Sequence, residues 1–488
     1  MLSSNLDEYF KHKRKPVRTI SGVTVVAVMS KPLPCPHGRC AYCPGGPQFN
    51  TPQSYYGNEP ALMRAQLCNY DPYEQVKVRL NQYEFLGHTP SKVELIIMGG
   101  TFPALTLDYQ EWFVTMCLEA MNRYPKEKPK GWISLESAQL RNEHANIRCV
   151  GMTFETRPDW AKEVQADRML RLGGTRVELG VQTVFDDLLE KVERGHTVKD
   201  SVEATRILKD CGFKVCYHIM PGLPGSDLSR DLEVFEEIFS NENFMPDMLK
   251  IYPTIVVKGT KLYDWWIKGK YIPFTTEDAI ELLIKVLPKI PRWVRIQRIQ
   301  RDIPLNVVEA GVNVGHLRQL VHEELSKLGL KCNCIRCREV GHVMLKKKIQ
   351  PDLKNIRLLK ESYEASGGVE VFLSYEDPIK DILLGFLRLR IPSPKAHRWE
   401  IDEKTAIIRE LHIYGPQLPI GMKPIFEWQH RGFGKKLLFE AERIALEEFD
   451  KSKMLILSGI GVRDYYRRFG YKHLKNSPYM MKFLDGKG

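Results

Sequence analysis

The chain has 488 residues, of which 43% are hydrophobic, and a formal net charge of +12. This length suggests about three domains, and the longest apolar runs are strand-sized, which excludes a membrane-spanning helix. Residues 1–18 are polar and show no secretory signal, and the 11 cysteines are odd in number and grouped in two tight sets, unlike a disulfide framework. We therefore expect a cytoplasmic protein with metal sites, whose charge favours a polyanionic partner, nucleic acid first.

A basic arm is predicted at residues 1–19, with cations at Lys13, Arg14 and Lys15. A run of this kind is either a solvated tail or a contact to nucleic acid, and the sequence weighs the two about evenly. On the second interpretation these three residues contact RNA.

Three cysteines, Cys35, Cys40 and Cys43, lie in one short loop with the spacing C-x4-C-x2-C. The loop follows an apolar run at residues 23–29, so it lies at the carboxyl end of a predicted buried strand, where parallel α/β proteins keep their chemistry. Three soft thiolates on an irregular loop suit an iron-sulfur cluster, and three ligands leave one iron open. The alternative is a zinc knuckle, for which only His37 is nearby as a fourth ligand.

Strands and helices alternate from residue 20 to residue 290 in the way that predicts a parallel sheet. The predicted strands cover residues 23–29, 93–98, 148–154, 176–180, 214–220 and 249–253. Charged and polar side chains stand at or near the carboxyl ends of these strands, where burial is costly unless they bind or pair. These residues are Glu155, Arg157, Glu178, Gln182 and His218.

The cysteine loop and the six predicted strands resemble the radical S-adenosylmethionine (SAM) enzymes, whose α/β fold is an open (βα)6 partial TIM-type barrel. Their usual spacing is C-x3-C-x2-C, so the first gap here is one residue longer. In that family the open iron of a [4Fe-4S] cluster binds SAM and cleaves it to a 5′-deoxyadenosyl radical. The resemblance implies that the turn at Gly99 and Gly100 bonds the methionine amine of SAM, and that Glu155 and Arg157 contact SAM.

Residues 291–350 are predicted to form a basic, zinc-binding linker. Arg295, Arg298 and Arg301 recur every third residue beside Trp293. Guanidinium groups pair with phosphate and stack on bases, so these arginines are candidate RNA contacts, and the alternative is a solvated face.

A second cysteine set, Cys332, Cys334 and Cys337, has the spacing C-x-C-x2-C. Zinc suits compact thiolate loops of this kind, with a fourth ligand from outside the loop. His316, His322 and His342 are all candidates, and the sequence does not choose among them.

Residues 351–488 change to an antiparallel pattern, with strands predicted at 369–375, 382–390, 406–414 and 453–458. Before the last of them, residues 429–434 have the form Q-x-x-G-x-G and open a helix, whose free backbone amides suit a pyrophosphate. This arrangement resembles the acetyl-CoA motif of the mixed α/β GCN5-related N-acetyltransferase fold. Tyr465 and Tyr466 fit the helix on which such enzymes carry a tyrosine near the thioester sulfur, and the alternative is amphipathic packing.

The two modules together resemble the family of the catalytic subunit of Elongator, the tRNA wobble-uridine acetyltransferases. Residues 18–23, 35–46, 98–102, 155–159, 301–304, 372–377 and 429–434 are all similar to that family, and the short first cysteine gap resembles its archaeal or bacterial members. The resemblance places Lys92, Tyr465 and Tyr466 at the catalytic centre. It implies contacts to acetyl-CoA from Lys92, Glu410, Leu411, His412, Ile413, Gln429, Arg431, Gly432, Phe433, Gly434, Lys435 and Tyr466.

The reaction that this resemblance implies is the formation of 5-carboxymethyluridine at position 34 of tRNA. The 5′-deoxyadenosyl radical removes hydrogen from the methyl group of acetyl-CoA, the carbon radical adds to uridine C5, and hydrolysis releases CoA. The partners implied are tRNA, acetyl-CoA, an electron donor for the cluster and, in eukaryotic relatives, Elongator-type subunits, with the chain a monomer or a homodimer. The scheme needs the acetyl group close to the cluster, and therefore rigid coupling of the two modules.

Two other functions remain open at this stage. The chain could be a protein lysine acetyltransferase with a structural iron-sulfur cluster, in which case histone-like peptides rather than tRNA would raise acetyl-CoA turnover. It could also be a binding scaffold with one degenerate centre. The complete cysteine triplet and the complete glycine motif argue against the scaffold.

Overall fold

The computed structural model describes residues 19–415 and 432–485. Within these ranges the chain forms two seven-stranded sheets and one two-stranded sheet. The predicted site residues Lys13, Arg14, Lys15, Gln429 and Arg431 lie outside the described residues. None of the helices in the described ranges has the length and apolar character needed to cross a membrane.

The first sheet is parallel throughout and follows the predicted alternation of strands and helices. Its strands are β1 (Thr24–Met29), β2 (Lys92–Met98), β3 (Arg148–Thr156), β4 (Arg176–Gln182), β5 (Lys214–Ile219), β6 (Met248–Ile251) and β8 (Arg295–Ile299). They are ordered β1-β2-β3-β4-β5-β6-β8, so each strand lies next to the one that precedes it in this sheet along the chain. The predicted open α/β barrel is confirmed, with one strand more than the six expected.

Ten α-helices in the described part of the chain accompany this sheet. They are α1 (Pro60–Leu67), α2 (Pro72–Phe85), α3 (Leu107–Arg123), α4 (Leu135–Asn142), α5 (Glu163–Arg171), α6 (Asp186–Lys191), α7 (Val198–Asp210), α8 (Leu228–Ser240), α9 (Lys261–Ile267) and α10 (Thr276–Val286). Local sequence explains several of their starts: Thr197 and Asp200 form a capping box at α7, and Thr275 and Asp278 form another at α10.

The extra strand β8 lies beyond residue 290, where the sequence predicted that the barrel ends. Ile296 and Ile299 are buried in the core, and β8 pairs with β6 from Met248 to Ile251. The prediction that the barrel ends at residue 290 was wrong because the arginines of this segment interrupt the apolar pattern by which a strand is recognised. The barrel therefore extends to residue 299, and the linker is correspondingly shorter.

The linker holds two small elements after β8. Strand β9 (Val308–Gly311) pairs antiparallel with β7 (Ile255–Val257) in the two-stranded sheet. Three helices follow, α11 (Leu317–Lys327), α12 (Ile335–Arg338) and α13 (Val340–Lys347). Leu317, Val321 and Leu325 recur on one face of α11 and are buried, which fixes that helix against the first domain's core.

The second sheet is mixed and carries the predicted carboxyl-terminal strands. Its strands are β10 (Arg357–Ala365), β11 (Gly368–Asp377), β12 (Ile382–Ile391), β13 (Thr405–Ile413), β14 (Lys453–Ile456), β15 (Lys472–His473) and β16 (Met480–Phe483). The order is β10-β11-β12-β13-β14-β16-β15, and within it only the β13–β14 pair is parallel. Two helices accompany it, α14 (Phe433–Glu447) and α15 (Arg463–Arg467).

Strands β13 and β14 separate at one end, and this separation opens the sheet. They pair from Thr405 to Ile408, and β13 continues beyond this pairing to Ile413. Helix α14 begins at Phe433, after Gly432 in the left-handed conformation with φ 86°. The last residues of β13 and the amino terminus of α14 line the same cavity.

Buried ion pairs join the two domains. Arg409 of β13 donates to both carboxylate oxygens of Asp247 in the barrel, at 2.7 and 2.8 Å, and to Glu370 of β11 at 2.7 Å. Arg390 donates to Asp210 at the end of α7 at 2.7 Å. These groups are almost fully buried. Because a buried charge without its partner is strongly destabilising, the network fixes how the two domains sit against each other.

Candidate active site

The three cysteines of the first set lie on the loop that follows β1, as predicted. Cys40 and Cys43 are buried, and Cys35 is partly exposed. Each sulfur has a polar neighbour: the backbone N–H of Ser54 lies 3.1 Å from the Cys43 Sγ, the Thr101 hydroxyl 3.7 Å from the Cys35 Sγ and the His37 Nε2 3.2 Å from the Cys40 Sγ. The loop is thus shaped to hold three sulfurs in a polar setting at the carboxyl end of the sheet.

The arrangement of these sulfurs fits a cluster better than a single ion. Among the described residues, Cys332, Cys334 and Cys337 form a set compact enough for one metal ion, whereas Cys35, Cys40 and Cys43 do not. Burial raises the pKa of the Cys43 thiol to about 11 and also raises that of Cys35. A bound metal supplies the positive charge that converts such buried thiols to thiolates.

The predicted glycine turn lies directly against the cysteine loop. Gly99 and Gly100 have φ values of 130° and 87°, which only glycine adopts readily. A Cβ on Gly99 would approach the Ser30 hydroxyl to 2.1 Å, and one on Gly100 would lie 3.6 Å from the Cys35 Sγ. The turn therefore leaves bare backbone beside a cluster ligand.

Glu155 and Arg157 stand at the same end of the sheet but have different surroundings. Glu155 accepts a hydrogen bond from the Tyr55 hydroxyl at 3.0 Å and from Lys250 at 3.2 Å. Arg157 forms a two-point pair with Asp159, at 2.9 and 2.8 Å, and donates to the carbonyl of Gly195 at 2.9 Å. The Arg157 NH1 is buried and has no hydrogen-bond partner among the residues that the structure describes, so it is available to a ligand at the mouth of the barrel.

A chain of ionised side chains runs through the lumen of the barrel. Lys250 contacts both Glu155 and Glu178, and the His218 Nε2 lies 2.9 Å from a Glu178 oxygen. Burial alone would raise the pKa of Glu178, but Lys250, His218 and Arg176 together hold it well below its usual range. The interior of a closed barrel is normally packed with apolar side chains, so this buried charged network is a candidate functional feature.

A cavity of about 850 Å³ opens where the second domain meets the amino-terminal ends of the barrel strands. It is lined by residues of both domains, and Lys250 forms part of its wall. Predicted acetyl-CoA residues from both domains line it together: Lys92, Glu410, Leu411, His412, Ile413, Gly432, Phe433, Gly434, Lys435 and Tyr466. Tyr465 lines it too. The cysteine loop lies at the other end of the barrel, and the Glu155–Lys250 contact links the two ends.

Within this cavity, the amino terminus of α14, called the opening of α14 below, packs closely against Tyr465. A Cβ on Gly434 would lie 2.7 Å from the Tyr465 hydroxyl oxygen, closer than such atoms approach. The rings of Tyr465 and Tyr466 are 5.2 Å apart and nearly perpendicular. Burial raises the pKa of Tyr465 to about 12 and that of Tyr466 further, so both phenols are protonated donors at neutral pH.

Two predicted acetyl-CoA residues have their side chains engaged inside the protein. Glu410 accepts from the Arg388 Nε at 2.9 Å, and the His412 Nε2 lies 2.9 Å from the carbonyl oxygen of Ser21. A ligand in the cavity would therefore meet the backbone of this segment rather than these two side chains. Lys92 lines the cavity from the barrel side, and burial lowers its pKa to about 8.

The predicted arginine stripe does not form one face. An irregularity in the β6–β8 pairing brings Arg295 and Arg298 both to the cavity, where Arg295 is half-buried against Glu339. Arg301 instead lies over the ring of Tyr252 and bonds the Ser54 carbonyl, and Trp293 is buried in a stack on Tyr363. The prediction of a stripe was wrong because strand geometry, not a three-residue repeat, sets the direction of these side chains.

The second cysteine set has the dimensions of a tetrahedral zinc site. The Cys334 and Cys337 sulfurs are 3.7 Å apart, and the Cys337 Sγ is 3.7 Å from the His322 Nε2. Zinc–ligand bonds of ordinary length would give about 3.8 Å and about 3.6 Å for these two separations. His342 instead lies 3.2 Å from Glu339. His322 is the candidate with a recorded contact to a cysteine sulfur, although it lies outside the compact group that the three cysteines form.

Two residues of this site were missed from the sequence. Arg194 donates to the Cys40 Sγ at 3.6 Å from a position 154 residues further along the chain. Lys250 joins Glu155 to Glu178. A lysine between Leu249 and Ile251 in an apolar strand was a usable signal for Lys250, whereas no local pattern marks Arg194.

Comparison with known proteins agrees with this fold and site. The model of the Radical SAM superfamily matches residues 33–238, and that of the Radical_SAM C-terminal domain matches residues 246–327. The curled parallel sheet with its cysteine loop thus defines a radical SAM protein, and this class implies a [4Fe-4S] cluster and SAM. The one-residue departure from the usual cysteine spacing does not exclude the class.

Relatives over almost the whole chain define the family. A tRNA uridine(34) acetyltransferase of Methanocaldococcus jannaschii is 54% identical over 478 residues, covering 97% of this chain and 86% of that protein. Human Elongator complex protein 3 is 44% identical, covering 97% of this chain and 86% of that protein. The structure of the archaeal Methanocaldococcus infernus Elp3 with an N-terminus deletion superposes with a TM-score of 0.83 at 49% identity, covering 95% of this chain and 100% of that one. The chain belongs to the family of the tRNA uridine(34) acetyltransferases and Elongator complex protein 3.

Proposed function

We propose that this chain carboxymethylates the wobble uridine of tRNA, with SAM and a [4Fe-4S] cluster at the carboxyl end of the barrel and acetyl-CoA in the cavity beneath it. The names of the relatives support the substrate and the transferred group. The observation that carries the proposal is the cavity itself, because Lys92 of the barrel and Gly432 to Lys435 of the second domain line the same space.

The cluster, when bound, supplies the electron that cleaves SAM to the radical. The residues of the chain bind and orient the reactants. The turn at Gly99 and Gly100 would accommodate the amino-acid end of SAM, and the NH1 of Arg157, which has no partner among the described residues, would pair with its carboxylate.

The opening of α14 suits the pyrophosphate of acetyl-CoA. Helix amino termini present unpaired N–H groups and a positive dipole end. No atom of the described residues lies within 4 Å of a Cβ built on Gly432, on the side where a phosphate would approach. Lys92 reaches the same cavity from the opposite wall. The Tyr465 hydroxyl, beside Gly434, is a protonated donor for the sulfur of the leaving CoA.

The cavity is also suited to an RNA phosphate backbone. Its wall carries an excess of cations over carboxylates among the described residues. The cations are Lys92, Arg148, Arg176, Lys214, Lys250, Arg295, Arg298, Arg336, Arg409, Lys435 and Arg468, and the acidic residues are Glu94, Glu410 and Asp464. Such a wall attracts both CoA phosphates and an anticodon loop.

The proposed function predicts a strict dependence of CoA release on tRNA. Anaerobically reconstituted protein given SAM, acetyl-CoA and a reductant should release CoA at least about tenfold faster with a tRNA that carries uridine at position 34, because only then does the acetyl group find its acceptor. CoA and 5′-deoxyadenosine are both measured by chromatography. The matched control is the same tRNA with cytidine at position 34, and a CoA release that responds to histone-like peptides but not to either tRNA would refute the proposal.

We further propose that Cys332, Cys334, Cys337 and His322 hold a structural zinc ion. Burial lowers the pKa of His322 to about 4, so its imidazole is neutral and able to ligate at physiological pH. A metal here would join α11 to α12 and so hold the linker against the barrel.

Replacing His322 by alanine should reduce the zinc content from about one ion per chain to a small fraction of that, since three ligands without the fourth bind weakly. Zinc is measured by atomic absorption after dialysis against a mild chelator. His342→Ala is the matched control, because His342 is a similarly placed histidine that faces Glu339. Equal zinc in both variants, or loss in the His342 variant alone, would overturn the ligand assignment.

A further inference from the structure

Arg194 belongs to a segment, residues 192–196, on which the cysteine loop rests. The backbone N–H of Ala41 donates to the Val192 carbonyl at 2.9 Å. A Cβ on Gly195 would come within 2.6 Å of the His37 Cβ, so the loop and the segment are in direct contact. The carbonyl of Gly195 is held in turn by Arg157. The position of Arg194 relative to the cysteines is therefore fixed by backbone contacts on both sides.

The guanidinium of Arg194 is buried, with only 8% of the residue exposed. It donates to the Gly180 carbonyl at 2.9 Å and to the Cys40 Sγ at 3.6 Å, and its Nε has no hydrogen-bond partner among the described residues. No hydrogen bond to a carboxylate is found for it in the described part of the chain. The groups that act on its charge most strongly are Tyr42, Cys40 and Cys35.

A buried guanidinium without a counter-charge is strongly destabilising. Arginine stays protonated in proteins, so the charge cannot be removed by titration. Around Arg194, the groups that can become anionic are a phenol and the cluster cysteines. Cysteines that ligate iron are thiolates, so a bound cluster would supply the counter-charge that Arg194 lacks in the described part of the chain.

We propose that Arg194 is a positioning residue that serves as the counter-cation of the iron-sulfur site, holding the Cys40 sulfur in place and raising the reduction potential of the cluster. An N–H donated to a ligand sulfur and a nearby positive charge both stabilise the form that carries one more electron. The proposal rests on the cluster of the proposed function, but on neither its acetyl donor nor its RNA substrate.

The test is a reductive titration of the full chain, reconstituted with iron and sulfide and studied without SAM. An external low-potential reductant supplies the electron, and the electron paramagnetic resonance signal of the reduced cluster gives the midpoint potential. Arg194→Leu and Arg194→Gln should shift the midpoint to more negative values, and Arg194→Lys should shift it less. Arg443→Leu is the control, since Arg443 lies on α14 in the second domain, where it pairs with Glu440, Glu447 and Glu448, and its loss should leave the midpoint unchanged.

A wild-type midpoint in the leucine or glutamine variant with the cluster in place overturns the proposal. If these two variants do not retain iron, the lysine variant decides. Retention of iron by the lysine variant supports the role of the charge, and loss of iron from all three variants overturns it in favour of simple packing. If the Arg194 variants show the expected shifts in midpoint potential but the wild-type protein does not modify tRNA, the proposed function is refuted and the role of Arg194 stands.

Discussion

Replacing Cys40 by alanine should remove the iron-sulfur cluster, and with it all detectable formation of 5′-deoxyadenosine from SAM. Only three cysteines are available on the loop, so the loss of one leaves two ligands for the cluster. Iron should fall from about four ions per chain to well below one after anaerobic reconstitution. Iron and sulfide analysis and the visible absorbance of the cluster measure this directly.

Cys68→Ala is the matched control for this experiment. Cys68 is a partly exposed cysteine at the end of α1 and has no role in either cysteine set. Its replacement should leave iron content and SAM cleavage unchanged. A Cys40→Ala protein that still holds about four irons would show that the loop does not ligate the cluster in the way described.

Replacing Gly434 by glutamate should abolish acetyl-CoA binding while the cluster and SAM cleavage remain. A side chain at this position meets the Tyr465 hydroxyl, and the added carboxylate lies at the amino terminus of α14, where a phosphate would bind. The steric and like-charge effects together should weaken binding roughly 100-fold or more, about 2.7 kcal/mol. Isothermal titration calorimetry with acetyl-CoA measures the affinity.

Gly434→Ala separates the two effects, because it adds the steric contact without the charge. We expect its affinity to lie between those of the wild type and the glutamate variant. The second domain must remain folded in both variants, which circular dichroism verifies. Unchanged acetyl-CoA affinity in the glutamate variant would place the acetyl donor somewhere other than the opening of α14.

The parts of the fold that could be read from the sequence are those with a regular apolar pattern. The strands of the barrel up to β6 are bounded by turn residues and separated by helices, so the alternation was recognisable. Strand β8 was missed because arginines occupy its cavity-facing positions. Strand β10 was missed because its first six residues, from Arg357 to Ser362, are exposed at the edge of the second sheet and carry no buried stripe.

The residues of the site also fall into two groups, those that a local sequence pattern reveals and those that it does not. The cysteine loop, the turn at Gly99 and Gly100, and the opening of α14 are contiguous motifs, and each was placed correctly in the fold. The Glu155–Lys250 contact and the Arg194–Cys40 contact join residues 95 and 154 positions apart, which no local pattern encodes. The choice of His322 over His342 likewise depended on the packing of α11 against α12, since all three candidate histidines flank the cysteines in sequence.

The ion network between the domains has a consequence for dissecting this protein. Arg388, Arg390 and Arg409 belong to the acetyltransferase-like half, and the acidic groups Asp210 and Asp247 that compensate them belong to the barrel. A gene fragment encoding either half by itself would leave these groups without their partners from the other half and would expose the apolar surface around them. Neither half should persist as a separate soluble product, and recovering activity from two split polypeptides would require their joint expression.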